Sequence, residues 1–379
     1  MGHDRMPSLL PLSLYVHYPW CVRKCPYCDF NSRKKPVEEG LDGQYLRSLL
    51  DDFSKVSPYI QGRKLTSVYF GGGTPSLFNP HHMECLLETL DGYIDLHTEI
   101  SMESNPGTVD IASLSAYRAI GINRLSIGVQ SFNDVSLKRL GRIHDAKTAL
   151  AACEAAHNAQ FDNINIDLMH GLPQQSLAEA MQDLAMAVKM GTNHLSWYEL
   201  TIEEGTAFGR KPPQLPDEDT LSEIETEGFS YLEEQGFERY EVSGFTKDSR
   251  PCRHNLNYWR FGDYLGIGAG AHSKLFLNGK TMRRACPESP LDYMSGNYGS
   301  YRTVPPEELP FEFMLNRLRV FDRIGIGEFS KTTALPFEKV EAQLIKAKTL
   351  GLIEFEKECF YVTNFGKTML NDVLTMFLE

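Results

Sequence analysis

Residues 12–28 read LSLYVHYPWCVRKCPYC: an apolar, β-rich run that breaks at Pro19-Trp20 into a loop carrying Cys21, Cys25 and Cys28. The run Leu12–His17 predicts a strand. From there to about residue 200 the same unit recurs: a short β-rich run, a glycine or polar loop, then a stretch with helical periodicity. Further strands are expected at Thr66–Phe70, Glu99–Glu103, Arg124–Val129, Asn163–Leu168 and His194–Leu200. Helices are expected at Tyr45–Val56, His82–Tyr93, Ile111–Ile120, Lys147–Ala159 and Leu177–Met190. Strands alternating with helices imply parallel pairing through crossovers, and near-continuous apolar strand cores imply a sheet covered on both faces. The fold class is therefore α/β, a partial (β/α)6 barrel over residues 12–215. In such a barrel functional residues gather at the carboxyl ends of the strands. Here those places hold the three cysteines, Gly71-Gly72-Gly73-Thr74-Pro75, Glu103, Gln130 and Asp167.

Further along, GRKPPQLPDED (209–219) reads as a boundary loop. Residues 216–304 form a connecting region that completes the barrel: a helix (220–235), a strand (239–243) and an irregular aromatic segment through Ser273. A second break contains Pro305-Pro306. Residues 305–379 predict a C-terminal α+β, winged-helix-like module with a hairpin pairing 352–355 with 360–363. Residues 1–11 read as an N-terminal tail, without the basic region or cleavage site of a signal peptide.

The chain has 379 residues, 42% hydrophobic and 23% charged, which excludes disordered and fibrous classes. Its net charge of −12 gives no general attraction to nucleic acid. The terminal module carries nine Lys and Arg against twelve Asp and Glu after residue 306, so it too is read as a packing or docking unit, not a DNA reader. No apolar run reaches the length of a membrane span, and a cytoplasmic location is expected. Five of the eight cysteines (Cys85, Cys153, Cys252, Cys286, Cys359) are scattered singly and read as small hydrophobes.

The remaining three follow C-x3-C-x2-C. A structural zinc site needs a fourth ligand, usually in a second C-x2-C pair, and no such pair exists. Disulfide pairing does not suit three thiols in a cytosolic chain. A [4Fe–4S] cubane fits better, because a short loop of thiolates can hold three corners and leave the fourth iron open.

An open-iron cluster on the first loop of a partial (β/α) barrel resembles the radical S-adenosylmethionine (SAM) superfamily. The resemblance implies that SAM's methionine chelates the open iron, and that an electron from the cluster cleaves a C–S bond to give a 5′-deoxyadenosyl radical. It also implies roles for further residues. Tyr27 takes the aromatic position against the adenine. Gly72, Gly73 and Thr74 belong to the glycine-rich segment that meets the methionine amino group. Arg142 offers a guanidinium fork to the methionine carboxylate. Glu103, Gln130 and Asp167 serve the ribose hydroxyls and the ammonium group.

LYVHYPWC (14–21, with Tyr15 counted among the cofactor contacts), GGGTPS (71–76), ESNPG (103–107), IGVQSF (127–132), LKRLGRIH (137–144) and NIDLMHGLP (165–173) look like the oxygen-independent coproporphyrinogen III oxidase group. That group holds a true oxidase and a haem-chaperone branch. The oxidase motif has a fourth cysteine, where this chain has Asp29-Phe30, and a longer stretch before the barrel. HNLNYW (254–259) matches the H-N-x-x-Y-W motif of the haem-chaperone branch. The expectation is a haem chaperone that passes haem to an acceptor of the respiratory chain, as a homodimer and peripheral to the membrane during delivery, with His254 as haem-iron ligand and Cys252 as the weaker candidate. The competing expectation is radical oxidative decarboxylation of coproporphyrinogen III. GIGAGAH (266–272) is read as closing over the adenine.

Overall fold

The computed structural model describes residues 9–378; the reading of residues 1–8 as a tail lies outside them. All six strands expected of the barrel form: β1 (Leu12–Tyr18), β2 (Leu65–Gly72), β3 (Glu99–Ser104), β4 (Arg124–Gln130), β5 (Ile164–His170) and β6 (His194–Glu199). They pair in parallel, each with its neighbour in sequence. Their continuous apolar runs are explained by burial on both faces, complete along β4.

The intervening helices start where polar side chains cap the free backbone N–H groups. In α1 (Leu41–Val56) the chain enters through Gly40 in the left-handed region instead. Asn79 caps α2 (Pro80–Thr89), Asp110 caps α3 (Ile111–Ala119), and Asp145 caps α4 (Ala146–Asn158). Ser176 and Glu179 form a capping box on α5 (Leu177–Lys189).

Two features of the connecting region differ from the sequence reading. The strand expected at 239–243 is split. Asp217 caps α6 (Glu218–Glu234), then a two-residue strand (Glu238–Arg239) turns back through Gly244–Thr246, β7, which runs antiparallel to β6. The segment expected to be irregular is ordered. Arg253–Trp259 is a helix, α7, and Asp263–Ile267, β8, pairs in parallel with the outer side of β1. The parallel part thus has seven strands, and a hairpin of β9 (His272–Leu277) and β10 (Lys280–Ala285) extends it on the β8 side. The aromatic content of 254–264 reflects burial of α7 against β2 and β8, not a missing periodicity.

The C-terminal residues form α8 (Leu309–Arg317), α9 (Ile326–Thr333) and α10 (Glu338–Thr349), then the expected hairpin of β11 (Ile353–Glu356) and β12 (Cys359–Val362). Phe313, Phe329, Leu344, Ile353 and Phe360 build a second core, which also takes in Phe261 from the end of α7. Arg260 pairs with Asp322 at 2.7 Å, and the backbone of Tyr240 accepts from Phe321 N at 3.1 Å. This module therefore leans on α7 and on the turn before β7.

Candidate functional site

A cavity of about 450 Å³ runs from the cysteine loop down the inner face of the strands, a size suited to a small-molecule ligand. Cys21, Cys25 and Cys28 line it, together with Tyr27, Gly72, Gly73, Thr74, Glu103, Gln130, Arg142 and Asp167. The sequence thus spreads these residues over five strand–loop units, and the parallel sheet gathers them.

The cysteine loop is held by its backbone. Trp20-Cys21 pairs with Arg33-Lys34, and Cys28 N donates to the Cys25 carbonyl at 3.2 Å. All three thiols are free and half-buried. Burial pushes the Cys21 thiol pKa up, and the nearby Cys28 and Cys25 push the same way while Thr74 and Ser32 hydrogen bonds oppose. Among the described residues no three His, Cys, Asp or Glu side chains converge on a single-ion centre. The thiols instead face one open cavity, a donor set that fits a polynuclear iron–sulfur cluster.

Thr74 N donates to the Trp20 carbonyl at 2.9 Å, locking the glycine segment to the cysteine loop. A Cβ on Gly73 would lie 2.7 Å from that same carbonyl oxygen. The close approach that requires glycine at this position is therefore made by the chain's own Trp20. Glu103 accepts from Tyr69 OH at 2.9 Å and from Gly72 N at 3.1 Å. Burial, reinforced by Asp167, pushes its carboxyl up to about 7. Gln130, at the end of β4, sits at φ 70° and accepts from Tyr198 OH at 2.8 Å. A left-handed non-glycine residue beside a bulge in the β4–β5 ladder is the kind of local strain found where a side chain must be aimed. Arg142 Nη2 donates to the Gly128 carbonyl at 2.6 Å and to Asn105, while Nη1 lies 3.6 Å from Cys25 Sγ and Nε has no partner.

Asp167 departs from its expected place. It lies inside β5, three residues before the strand ends, and accepts from Ser126 Oγ at 2.9 Å and Asn165 Nδ2 at 2.7 Å. Tyr15 is behind the glycine segment, with its hydroxyl 3.0 Å from His17 Nδ1, and is not part of the cavity lining.

His254 is the larger correction. The ring is buried, stacked on Tyr69 at 4.7 Å. Its Nδ1 lies 2.8 Å from Ser67 Oγ and its Nε2 3.0 Å from Tyr258 OH. Burial, with Arg124 nearby, lowers its pKa to about 3. Both ring nitrogens are thus bonded inside the protein, and the ring is not part of the cavity lining. Cys252 is also internal: its thiol points at Glu99 Oε1, 3.6 Å away, and burial pushes it up to about 12. The motif's Asn255 and Trp259 do line the cavity. His272 is exposed and does not line it.

Sequence reasoning missed a second tier of lining residues. Arg124, Ser126 and Gly128 precede the expected Gln130 at a spacing of two along β4; Asn165 precedes the expected Asp167 in the same way on β5, and Ser196 and Tyr198 keep that spacing on β6. That alternation of polar residues inside apolar strands marks the inward face, and was the available signal. Glu241 and Arg319, which close the cavity from the later part of the chain, gave none.

These features define a radical SAM barrel. The profile described as the radical SAM superfamily matches residues 15–186, and that described as the HemN C-terminal domain matches residues 304–367. Within the superfamily the chain belongs to the family of proteins named heme chaperone HemW. It is 45% identical to the Escherichia coli protein of that name over 98% of this chain and 100% of the other, and 44% identical to the Haemophilus influenzae protein over 98% and 99%. The solved coproporphyrinogen III oxidase (HemN) of Escherichia coli superposes with a TM-score of 0.82 over 99% of this chain and 91% of that one. At 23% identity, this shows a common fold. No helix among the described residues is long and apolar enough to cross a membrane.

Proposed function

We propose that this protein is a haem chaperone that holds a [4Fe–4S] cluster and SAM in the barrel cavity and hands haem to a haem-dependent acceptor protein of the respiratory chain. The observation that carries the reading is the full-length identity of 45% to a protein named for that role. The absence of a fourth cysteine after Cys28, at the position where Phe30 stands, supports it against the decarboxylase.

The cavity's donors suit the two resident groups. Cys21, Cys25 and Cys28 would hold three irons of the cluster, and Arg142, beside Cys25, would offset its negative charge and offer its unpartnered Nε–H to the cofactor's carboxylate. Glu103 and Asp167 would supply acceptors for an ammonium group and ribose hydroxyls, Gln130 would help hold the ribose, and Tyr27 would offer its ring to the adenine. When bound, cluster and SAM supply one-electron cleavage chemistry. The chain's own contribution is to bind, to orient and to keep Arg142 fixed through Gly128 and Asn105.

The test is a haem titration of the anaerobically reconstituted protein, with coproporphyrinogen III turnover assayed in parallel. Stoichiometric haem binding without turnover is expected. Formation of protoporphyrinogen IX with SAM would overturn the reading in favour of the oxidase.

A further inference from the structure

The cavity carries more hydrogen-bond donors than the chain itself satisfies. Four buried side-chain polar atoms on its lining have no partner: Arg124 Nε, Arg142 Nε, Trp259 Nε1 and Arg319 Nε. All four are N–H donors. Arg142 belongs with the cluster and the SAM carboxylate in the reading above, which leaves Arg124, Trp259 and Arg319 unexplained.

Arg124 is the sharpest case. Its side chain, on β4, is 2% exposed, yet it makes neither a hydrogen bond nor an ion pair. The acids around it are occupied elsewhere. Glu99 accepts from Arg253 N at 3.1 Å and His254 N at 3.2 Å, and Asp167 accepts from Ser126 and Asn165. Glu99 and Asp167 offset its charge without bonding it, so what remains unmet is the buried N–H donor, a group that a ligand's acceptor would complete. Arg319 repeats the pattern from the C-terminal module. Its guanidinium lies 4.6 Å over the Trp259 ring, and the nearby Glu241, which its charge helps keep ionised, makes no direct ion pair with it and accepts instead from Ser243 N at 3.1 Å. Planar forks with free N–H groups match carboxylates.

We propose that Arg124, assisted by Arg319 and Trp259 Nε1, forms a carboxylate-binding subsite in the cavity that receives a propionate of the bound tetrapyrrole. This rests on the haem reading for the identity of the ligand, but not for the existence of the subsite. It also gives the H-N-x-x-Y-W motif a role in which Trp259, not His254, meets the ligand.

The experiment compares haem with haem dimethyl ester, whose propionates are neutral, on the wild-type holoprotein, Arg124→Gln, Arg124→Lys and Arg319→Gln, with SAM affinity and thermal midpoint as controls. The ester should bind the wild-type protein at least about tenfold more weakly than haem, the worth of one charge-assisted fork. Arg124→Gln should erase most of that difference, Arg124→Lys should restore part of it, and Arg319→Gln should reduce it. SAM affinity and the midpoint should stay near wild type. Equal binding of haem and ester by the wild-type protein would overturn the subsite while leaving the chaperone reading intact. No binding of either would overturn both. A collapse of the thermal midpoint in both Arg124 variants, with haem discrimination kept in Arg319→Gln, would make Arg124 a structural residue and overturn the proposal.

Discussion

The cysteine loop and helix α7 each present a short motif, and they use it in opposite ways. In the loop every chemically distinctive side chain, Cys21, Cys25, Tyr27 and Cys28, reaches the cavity, because irregular backbone tied at only a few points leaves its side chains free. In α7 the helical twist divides the motif. Asn255 and Trp259, four residues apart, share the cavity-facing side, while His254 and Tyr258 share the side packed on β2 and bond to each other at 3.0 Å. A motif on a loop can be read letter by letter, whereas a motif on a helix must first be split into faces.

The largest effect that would sharpen this contrast lies in the loop. Ser at any of positions 21, 25 or 28 should abolish the absorbance of the iron–sulfur cluster while leaving the denaturant midpoint within about 1 kcal/mol of wild type, as expected for half-buried loop positions. Optical spectra and urea melts check both halves, and an intact [4Fe–4S] spectrum in all three variants would remove the thiols from the site.

On α7 the expectation reverses. His254→Ala should cost about 2–4 kcal/mol of stability, because it empties a buried ring position and strands the Ser67 and Tyr258 hydroxyls. The haem spectrum of whatever folded protein remains should be unshifted. A stable variant with an altered haem spectrum would restore the imidazole as an iron ligand and break the two-face picture. Neutral burial also fixes the sign of its pH response. A histidine lowered to about 3 in the folded state is protonated more readily when unfolded. Its contribution is present above the ordinary imidazole range near 6.5 and is lost progressively as pH falls below it.

If Arg142 serves the carboxylate of SAM as proposed, Arg142→Ala should weaken SAM binding about tenfold with the cluster retained. Calorimetry on the reconstituted protein checks it, and unchanged affinity would take Arg142 out of the cofactor site.

The smallest effect is a pH dependence at Glu103. Its carboxyl is raised to about 7, so it is largely protonated below neutrality in the folded, ligand-free protein. A cationic ligand favours the ionised form and binds more tightly as pH rises towards about 7, with a plateau above. Glu103→Gln should flatten that profile between pH 6 and 8. An unchanged slope would show that another group titrates there.

The strand–helix alternation of residues 12–200 was legible because apolar runs bounded by glycine and capping residues report backbone state locally. Ser176 with Glu179, and Asp110 before α3, are local signals of this kind. The upper ring of the site was legible for the same reason: strand ends are where a parallel barrel exposes side chains. The lower ring was not. Arg124 sits at the start of a strand whose every residue is buried; its polar neighbours at a spacing of two mark a shared face, but residue type does not tell whether that face lines a cavity or packs beneath helices. The stretch 253–273 was misread because α7 is seven residues long, too short for its periodicity to stand out from the aromatic residues that flank it.

By itself, then, the sequence determined the α/β class, the order of the barrel strands and the loop of three thiols, all of which follow from residue type and spacing along one segment. Only the tertiary structure decided that β8 returns to the outer side of β1, that Trp20 is what Gly73 makes room for, and that Arg319 reaches the cavity wall from a separate core. It also turned His254 inward and left Arg124 without a partner. Such outcomes depend on contacts between segments far apart in the chain, such as Ser67 with His254 or Leu12 with Asp263, and no local preference of the backbone encodes which of those segments will meet.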